Sequence, residues 1–471
     1  MKPLSGLDAL FLHLETPETP MHVGALHLLA LPAADARTYL GAVRRHVAGR
    51  LHLSPVFTRR LASMPLALAN PVWVRADAVD PRRHVRLLKL PAPGSFAQLE
   101  ATVARLHARP LERDRPLWRL YLIEGLASGE LALYTKIHHA TLDGAASVAF
   151  AHALLDTAPL PRAVPANVQP VQAEHPGIGQ LLGTAVKVAA GQAMRAVKQM
   201  PEFARVLTGL VARSAAAGAR AVRGASFRFA PRTPLNVSIG RVRAIATLSI
   251  PLAAVARVAE RHQVTVNDVV LAVVSGALRR HLAARGGLPA EPMVAAVPVS
   301  LREPGNTEAT TLATMSRMSL ATDVADPLAR LRAIHAGSAR TKSLTRELRS
   351  VIPTDFPSLG MPWLFGAAAA LYGRARLADR IPPLANLVVS NFPGASSPLY
   401  LAGARLLTWW PLSIVEHGLG VNVTAQSYAG SLDFGVVAAR DALRDPTAFA
   451  DEMRDAFAEL RALPRQAGTT A

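Results

Sequence analysis

The stretch Glu130–His139 restricts the fold more than any other part of the chain. Leu131, Leu133, Thr135, Ile137 and His139 share one parity, and Lys136 and His138 share the other. Such alternation predicts a β-strand with one face in the interior. On that reading His139 points inward with the apolar side chains and His138 points away. The strand runs into Ala140-Thr141-Leu142-Asp143-Gly144, where an interior strand turns into a helix. A buried imidazole there can be set near neutral pKa and accept a proton from an alcohol. Asp143 is near enough to shape the loop or hold an arginine, and Gly144 permits a turn or close backbone approach. The spacing by itself fits a structural histidine equally well. A metal site is not expected, because no third ligand stands at a sensible spacing.

With 471 residues the chain is too long for one ordinary core, so two domains or one two-lobed unit are expected. Pro159, Pro161, Pro165, Pro170 and Pro176 mark a linker. This divides the chain into a first lobe over 1–165, a Pro-rich then basic helical linker over 166–235, and a second lobe over 236–471. In the first lobe, helices are predicted at Ala36–Leu51 and Ser95–Ala108, and strands at Val23–Leu29 and Trp118–Ile123. In the second, strands are predicted at Val242–Ile250, Met293–Val299, Asn386–Ser390, Arg405–Leu412, Gly420–Tyr428 and Leu432–Val437. Helices are predicted there at Val255–His262, Asn267–Leu282 and Pro446–Leu463. Two α/β halves around a helical connection fit this order.

The net charge of +19 fits an anionic partner (nucleic acid, an anionic membrane or a polyanionic cofactor) and equally an alanine- and arginine-rich proteome bias. Nucleic acid is set aside, because no recognised motif or aromatic interleaving accompanies the charge. The basic stretch 177–225 mixes Lys187, Arg195, Lys198, Arg205, Arg213, Arg220 and Arg223 with apolar residues. It reads as a membrane-surface helix or as an inter-domain helix with a solvated face. Cysteine is absent, which rules out disulfides, thiolate nucleophiles and an acyl-cysteine intermediate. The N-terminus lacks a signal-peptide pattern. The apolar window 356–373 contains Pro357, Gly360, Pro362 and Gly366, which argue against a straight spanning helix. A cytoplasmic protein, peripheral to the inner membrane or lipid inclusions, is expected. No Gly-x-Ser-x-Gly elbow, phosphate-cradling loop or dinucleotide fingerprint competes with the histidine segment.

His138-His139-x-x-x-Asp143-Gly144 resembles the active-site motif of the CoA-dependent acyltransferases, which include chloramphenicol acetyltransferase and peptide-synthetase condensation domains. Further segments are similar to one branch, the bacterial wax ester synthase/diacylglycerol acyltransferases. They are Ser5-x-x-Asp8-x-x-Phe11-x-x-x-Glu15, Pro20-Met21-His22-Val23-Gly24, Arg115-Pro116-Leu117-Trp118, Val266-Asn267-Asp268-Val269, Pro298-Val299-Ser300-Leu301-Arg302 and Ser390-Asn391-Phe392-Pro393-Gly394. Leu432-Asp433-Phe434-Gly435 resembles a C-terminal Asp-Phe-Gly element, with Val436-Val437 in place of the usual Trp-Gly.

The resemblance implies two chloramphenicol acetyltransferase-like α/β lobes with a central tunnel, joined by a helical linker. It implies acyl-CoA as co-substrate, no tightly bound cofactor, and diacylglycerol or a long-chain fatty alcohol as acceptor. His139 would be the general base, with His138, Asp143 and Gly144 around it. Asp143 would pair structurally with Arg302. Pro116, Leu117, Trp118, Asn267, Asp268, Ser390 and Asn391 would bind substrate. Each also has a plain structural reading: the start of a buried strand at Pro116–Trp118, helix caps at Asn267 and Asp268, and a turn after Ser390 and Asn391. The alternatives are a transferase with another alcohol acceptor and a non-catalytic lipid-binding relative.

Overall fold

The computed structural model describes residues 1–4, 6–31, 35–141, 144–165, 173–192, 194, 229–300, 313–348 and 361–464. Two mixed sheets with helices against them form two α/β lobes. The first sheet runs in the order Tyr400–Leu401, Ala404–Leu406, His22–Ala30, Leu131–His138, Trp118–Glu124 and Val85–Lys89. The second runs Ala313–Ser319, Val294–Ser300, Leu387–Phe392, Val421–Tyr428, Ser431–Ala439 and Arg243–Pro251. A small sheet near the N-terminus pairs Val72–Arg75 with Lys2–Pro3 and Arg59–Ala62. No helix among the described residues is long and apolar enough to cross a membrane.

The predicted strand at 130–139 is a central strand, and it is covered on both sides. Leu131, Leu133 and Ile137 pack with Tyr39, Val43 and Phe150. Ala132 and Tyr134 face Leu99, Val103 and Trp410 instead. The second face is therefore also interior, which corrects the expectation for His138 and Lys136. Lys136 is 1% exposed and its ammonium donates to the carbonyls of Leu106, at 2.7 Å, and Arg109.

The segment 400–412, expected in the second lobe, pairs with the first lobe's sheet. Within it Arg405–Leu412, expected as one strand, is two. Arg405 and Leu406 lie opposite Ala30 and Leu29. Trp410, Pro411 and Leu412 lie opposite Leu26, Ala25 and Gly24. Between them Thr408 replaces ladder bonds with its side chain, accepting from Leu28 N at 3.0 Å, while its carbonyl accepts from His27 Nδ1 at 2.9 Å.

The Asp433-Phe434-Gly435 element clasps this crossover. The Asp433 carboxylate accepts from Trp409 N at 2.6 Å and from the hydroxyls of Ser249 and Ser431, both at 2.7 Å. At Gly435 an added Cβ would stand 1.8 Å from the Pro411 carbonyl oxygen. Glycine is needed there for close approach, not for turn geometry. Glu100, on the helix Phe96–His107, adds a second bond between the lobes. It accepts from Thr247 N at 2.8 Å and Thr247 Oγ1 at 3.1 Å, on the outermost strand of the second sheet.

Gly435→Ala is expected to push the crossover off the second sheet and to cost about 1–3 kcal/mol, the scale of overpacking a closed interior. The denaturant midpoint of the variant measures this; an unchanged midpoint would refute the clasp.

Candidate active site

The strand Leu131–His138 stops one residue short of His139, which opens the 3₁₀ turn His139–Thr141. His139 therefore leaves the strand's alternation, and its direction is set by the turn. Two contacts fix the main chain: His139 N donates to Met21 O at 2.9 Å, and Thr141 Oγ1 donates to His138 O at 2.7 Å. The imidazole is half-buried and lies flat on Phe11, with ring centroids 3.9 Å apart and planes 22° apart. Phe11 belongs to the helix Gly6–Leu14, which packs on Leu117, Trp73 and Ala140.

Nδ1 of His139 is buried and has no hydrogen-bond partner among the described residues. Burial foremost, and then the neighbouring His138, lower the imidazole pKa to about 4 against the opposing effect of its own main chain. The ring is thus neutral at physiological pH, which is the state a general base requires.

His138 is fully buried beneath this turn. Its Nδ1 accepts from Ala140 N at 3.1 Å, so in the neutral ring the proton sits on Nε2. Nε2 lies 3.4 Å from Glu15 Oε1. Glu15 also accepts from Met21 N at 3.1 Å and pairs with Arg113 at 2.8 Å. Burial alone would raise the Glu15 carboxyl, but His138 and Arg113 outweigh it and hold it down to about 2. Glu15 thus ties together the two segments that fix His139: its neighbour His138 and the Met21 main chain. Phe11, Glu15 and Met21 all lie in the N-terminal stretch quoted above, but the pattern gave them no role. Their i, i+4 and i+10 spacing from Phe11 was the available signal, and only the folded chain shows what they touch.

The other nominated residues disperse. Trp118 is a core residue: its ring stacks on His84 at 4.2 Å, meets Phe57 edge-on, and its Nε1 donates to Phe57 O at 3.2 Å. Pro116 and Leu117 are buried too, and Leu117 O accepts from His138 N at 3.0 Å. This segment supports the histidine turn from below and offers no open surface. Asp268 is 0% exposed and forms a capping box with Thr265, and it also accepts from His335 Nδ1 at 2.8 Å. Burial would raise its pKa, yet these bonds keep the carboxyl below its usual value. It stabilises the start of the helix Val266–Ala283. Asn267 is half-buried beside it.

Ser390 and Asn391 lie on the strand Leu387–Phe392, opposite Thr424 and Ala425. Thr424 donates to Asn422 Oδ1 at 2.8 Å, and Asn422 Nδ2 donates to Ile414 O at 2.9 Å, just beyond the crossover. Gly144 begins the helix Gly144–Leu154. Asp143 and Arg302, with their expected pairing, lie outside the described residues.

The wax ester synthase/diacylglycerol acyltransferase catalytic domain matches residues 4–270, and the C-terminal domain of the same family matches 313–461. The chain belongs to this family of acyl-CoA-dependent acyltransferases. A Mycobacterium tuberculosis (strain ATCC 25618 / H37Rv) relative with the provisional name diacylglycerol O-acyltransferase is 36% identical, covering 93% of this chain and 94% of its own. A wax ester synthase/diacylglycerol acyltransferase from Marinobacter aquaeolei VT8 has a similar solved structure, with TM-score 0.69, 31% identity and 98% of each chain covered. The first condensation domain of the calcium-dependent antibiotic synthetase shares the fold at 18% identity and TM-score 0.59, over 98% of this chain and 96% of its own. The two acetyltransferase-like lobes are thus those of the wider fold.

Phe11 touches the His139 ring, so if His139 serves as the expected base, Phe11 would position it without meeting the reacting atoms. Its face would also stabilise an imidazolium formed at His139. Phe11→Leu is expected to lower kcat roughly 2- to 30-fold with KM little changed, the scale of a ~0.5–2 kcal/mol cation–π contact. The acid limb of the kcat–pH profile should shift as well. A variant with wild-type kcat and profile would remove this role.

The buried histidines also set acid stability. Burial lowers His27 and His84 to about 4 and His107 to about 3, with Lys136 adding to the shift at His107. Each folded pKa lies below the unfolded value of roughly 6.5. Their contribution is full above that value and is lost as pH falls toward 4. Glu100 opposes them: burial raises it to about 7, against the Thr247 bonds that lower it. Its contribution is present below its unfolded value and lost as pH rises through 7. Three histidines against one carboxyl predict a melting temperature that falls between pH 6.5 and 4, measurable by thermal melts across that range.

Proposed function

We propose that this enzyme transfers a fatty acyl group from acyl-CoA to diacylglycerol, a long-chain fatty alcohol, or both, giving triacylglycerol or wax ester. The observation that carries this reading is the His139 ring: neutral, stacked on Phe11, held through its main chain by Met21, and only half-buried. Nε2 takes the hydroxyl proton as the alcohol oxygen attacks the thioester carbonyl carbon. The tetrahedral intermediate collapses, the carbon–sulfur bond breaks, and the imidazolium protonates the departing CoA thiolate. Ester and free CoA leave, and the imidazole is neutral again. No acyl-enzyme is needed, in keeping with a chain that lacks cysteine.

Both substrates would meet in a tunnel between the lobes, where holding them together supplies much of the rate. Arginine suits the phosphates of CoA. The acceptors partition into lipid, so the enzyme would work in peripheral contact with a membrane or lipid inclusions.

His139→Ala is expected to lower esterification by ~10²–10⁴, the usual loss of a general base, with the fold intact by circular dichroism. Acyl-CoA with hexadecanol and dioleoylglycerol in parallel reads both activity and acceptor preference. Wild-type turnover in the folded variant would end the assignment. His138→Ala acts differently: it removes a buried partner of Ala140 N and Glu15, so its loss should appear in stability as well as in rate.

A further inference from the structure

The helix Met361–Arg374 carries no charge before its last residue. One side of it packs on the helix Gly6–Leu14. The opposite stripe is Leu364, Ala367, Ala368 and Leu371, at helical spacing, and all four are exposed. Leu364 is 61% and Leu371 62% open to solvent. A helix in water turns polar residues outward; one that is apolar on every side requires cover.

The stripe ends at exposed Arg374, and the following turn adds exposed Arg376, Arg380, Ile381 and Leu384. Arg232 fastens this turn to the second lobe, donating to Ala378 O at 3.1 Å and Ile381 O at 2.7 Å. Exposed Phe229 lies alongside, since Ala230 N donates to Pro383 O at 2.8 Å. Leucines bordered by arginines match the boundary between acyl chains and anionic headgroups.

We propose that the outer stripe of Met361–Arg374, with the arginines at its end, docks the enzyme on an anionic phospholipid bilayer. This rests on the reading of the enzyme as one that acts on lipid-borne acceptors. The inner side of the same helix packs on the helix that carries Phe11, which stacks on His139. Docking therefore brings the base within about one helix diameter, ~10 Å, of the element that touches lipid. The helix at 178–192 is the weaker surface: Ile178, Leu182 and Val186 are exposed, but Lys187 is its one basic residue and Gln180 and Thr184 dilute it.

The test is flotation of the full-length protein with vesicles of equal phosphatidylglycerol and phosphatidylcholine, and with phosphatidylcholine alone. Wild type should float with the anionic vesicles. Leu364→Glu with Leu371→Glu should lose at least ~10-fold in partitioning. Arg374→Gln with Arg380→Gln should lose about fivefold per arginine on anionic vesicles only. All variants should esterify hexanol, a water-soluble acceptor, within roughly twofold of wild type, since exposed substitutions leave the core alone. The proposal falls if the leucine variant floats like wild type, or if only Ile178→Glu with Val186→Glu abolishes flotation. It also falls if the leucine variant changes the oligomeric state in light scattering while still floating, which would make a second copy the occupant. Absence of esterification with every acceptor in wild type would overturn the function reading, while flotation would still judge the surface.

Discussion

The carboxylate of Asp433 and the bare backbone of Gly435 hold one short strand between two sheets, and the rest of the molecule follows from that hold. Asp433 accepts from Trp409 N, and Pro411 approaches Gly435 closer than any side chain would allow. Trp410–Leu412 then completes the ladder on His22–Ala30. That ladder fixes His22 opposite His138, one residue before His139. An interaction deep in the second lobe thus sets the register of the strand that ends at the active site in the first.

Around His139 the protein uses dryness rather than charge pairing. No carboxylate among the described residues pairs with its ring; Glu15 faces His138 instead. Burial and the neighbouring imidazole keep the ring neutral. Orientation comes from a stacked aromatic face and a main-chain bond, both supplied by the N-terminal segment. Such a neutral imidazole is ready to take a proton without first losing one.

Much of this was legible in the sequence. Apolar patterning gave most strands of the two main sheets, because each has at least one apolar face, and the ordered motifs gave the family. What alternation could not show was that the central strand is covered twice, so that Lys136 and His138 are as interior as Leu133. Nor could it show where the strand stops: the 3₁₀ turn begins at His139 because Met21 O captures its N–H, a contact between distant segments. The break at 407–409 depends on Thr408 substituting for ladder bonds, which no local pattern signals. Trp118 and Asp268 stand in motifs yet serve packing and capping, which is what their residue types do wherever a strand or helix begins. The helix Pro327–Leu348 and the strand Ala313–Ser319 escaped the reading, since neither has a clean apolar period.

The order in which the chain is made gives the late position of the crossover a further meaning. The sheet that carries His139 is built mostly from residues before 140, yet its strands Ala404–Leu406 and Trp410–Leu412 emerge from the ribosome only after most of the second lobe. During synthesis the strand His22–Ala30 therefore waits with one edge unsatisfied. A nascent chain cut short before residue 400 therefore lacks two strands of the sheet that leads to His139, however much of the first lobe is present.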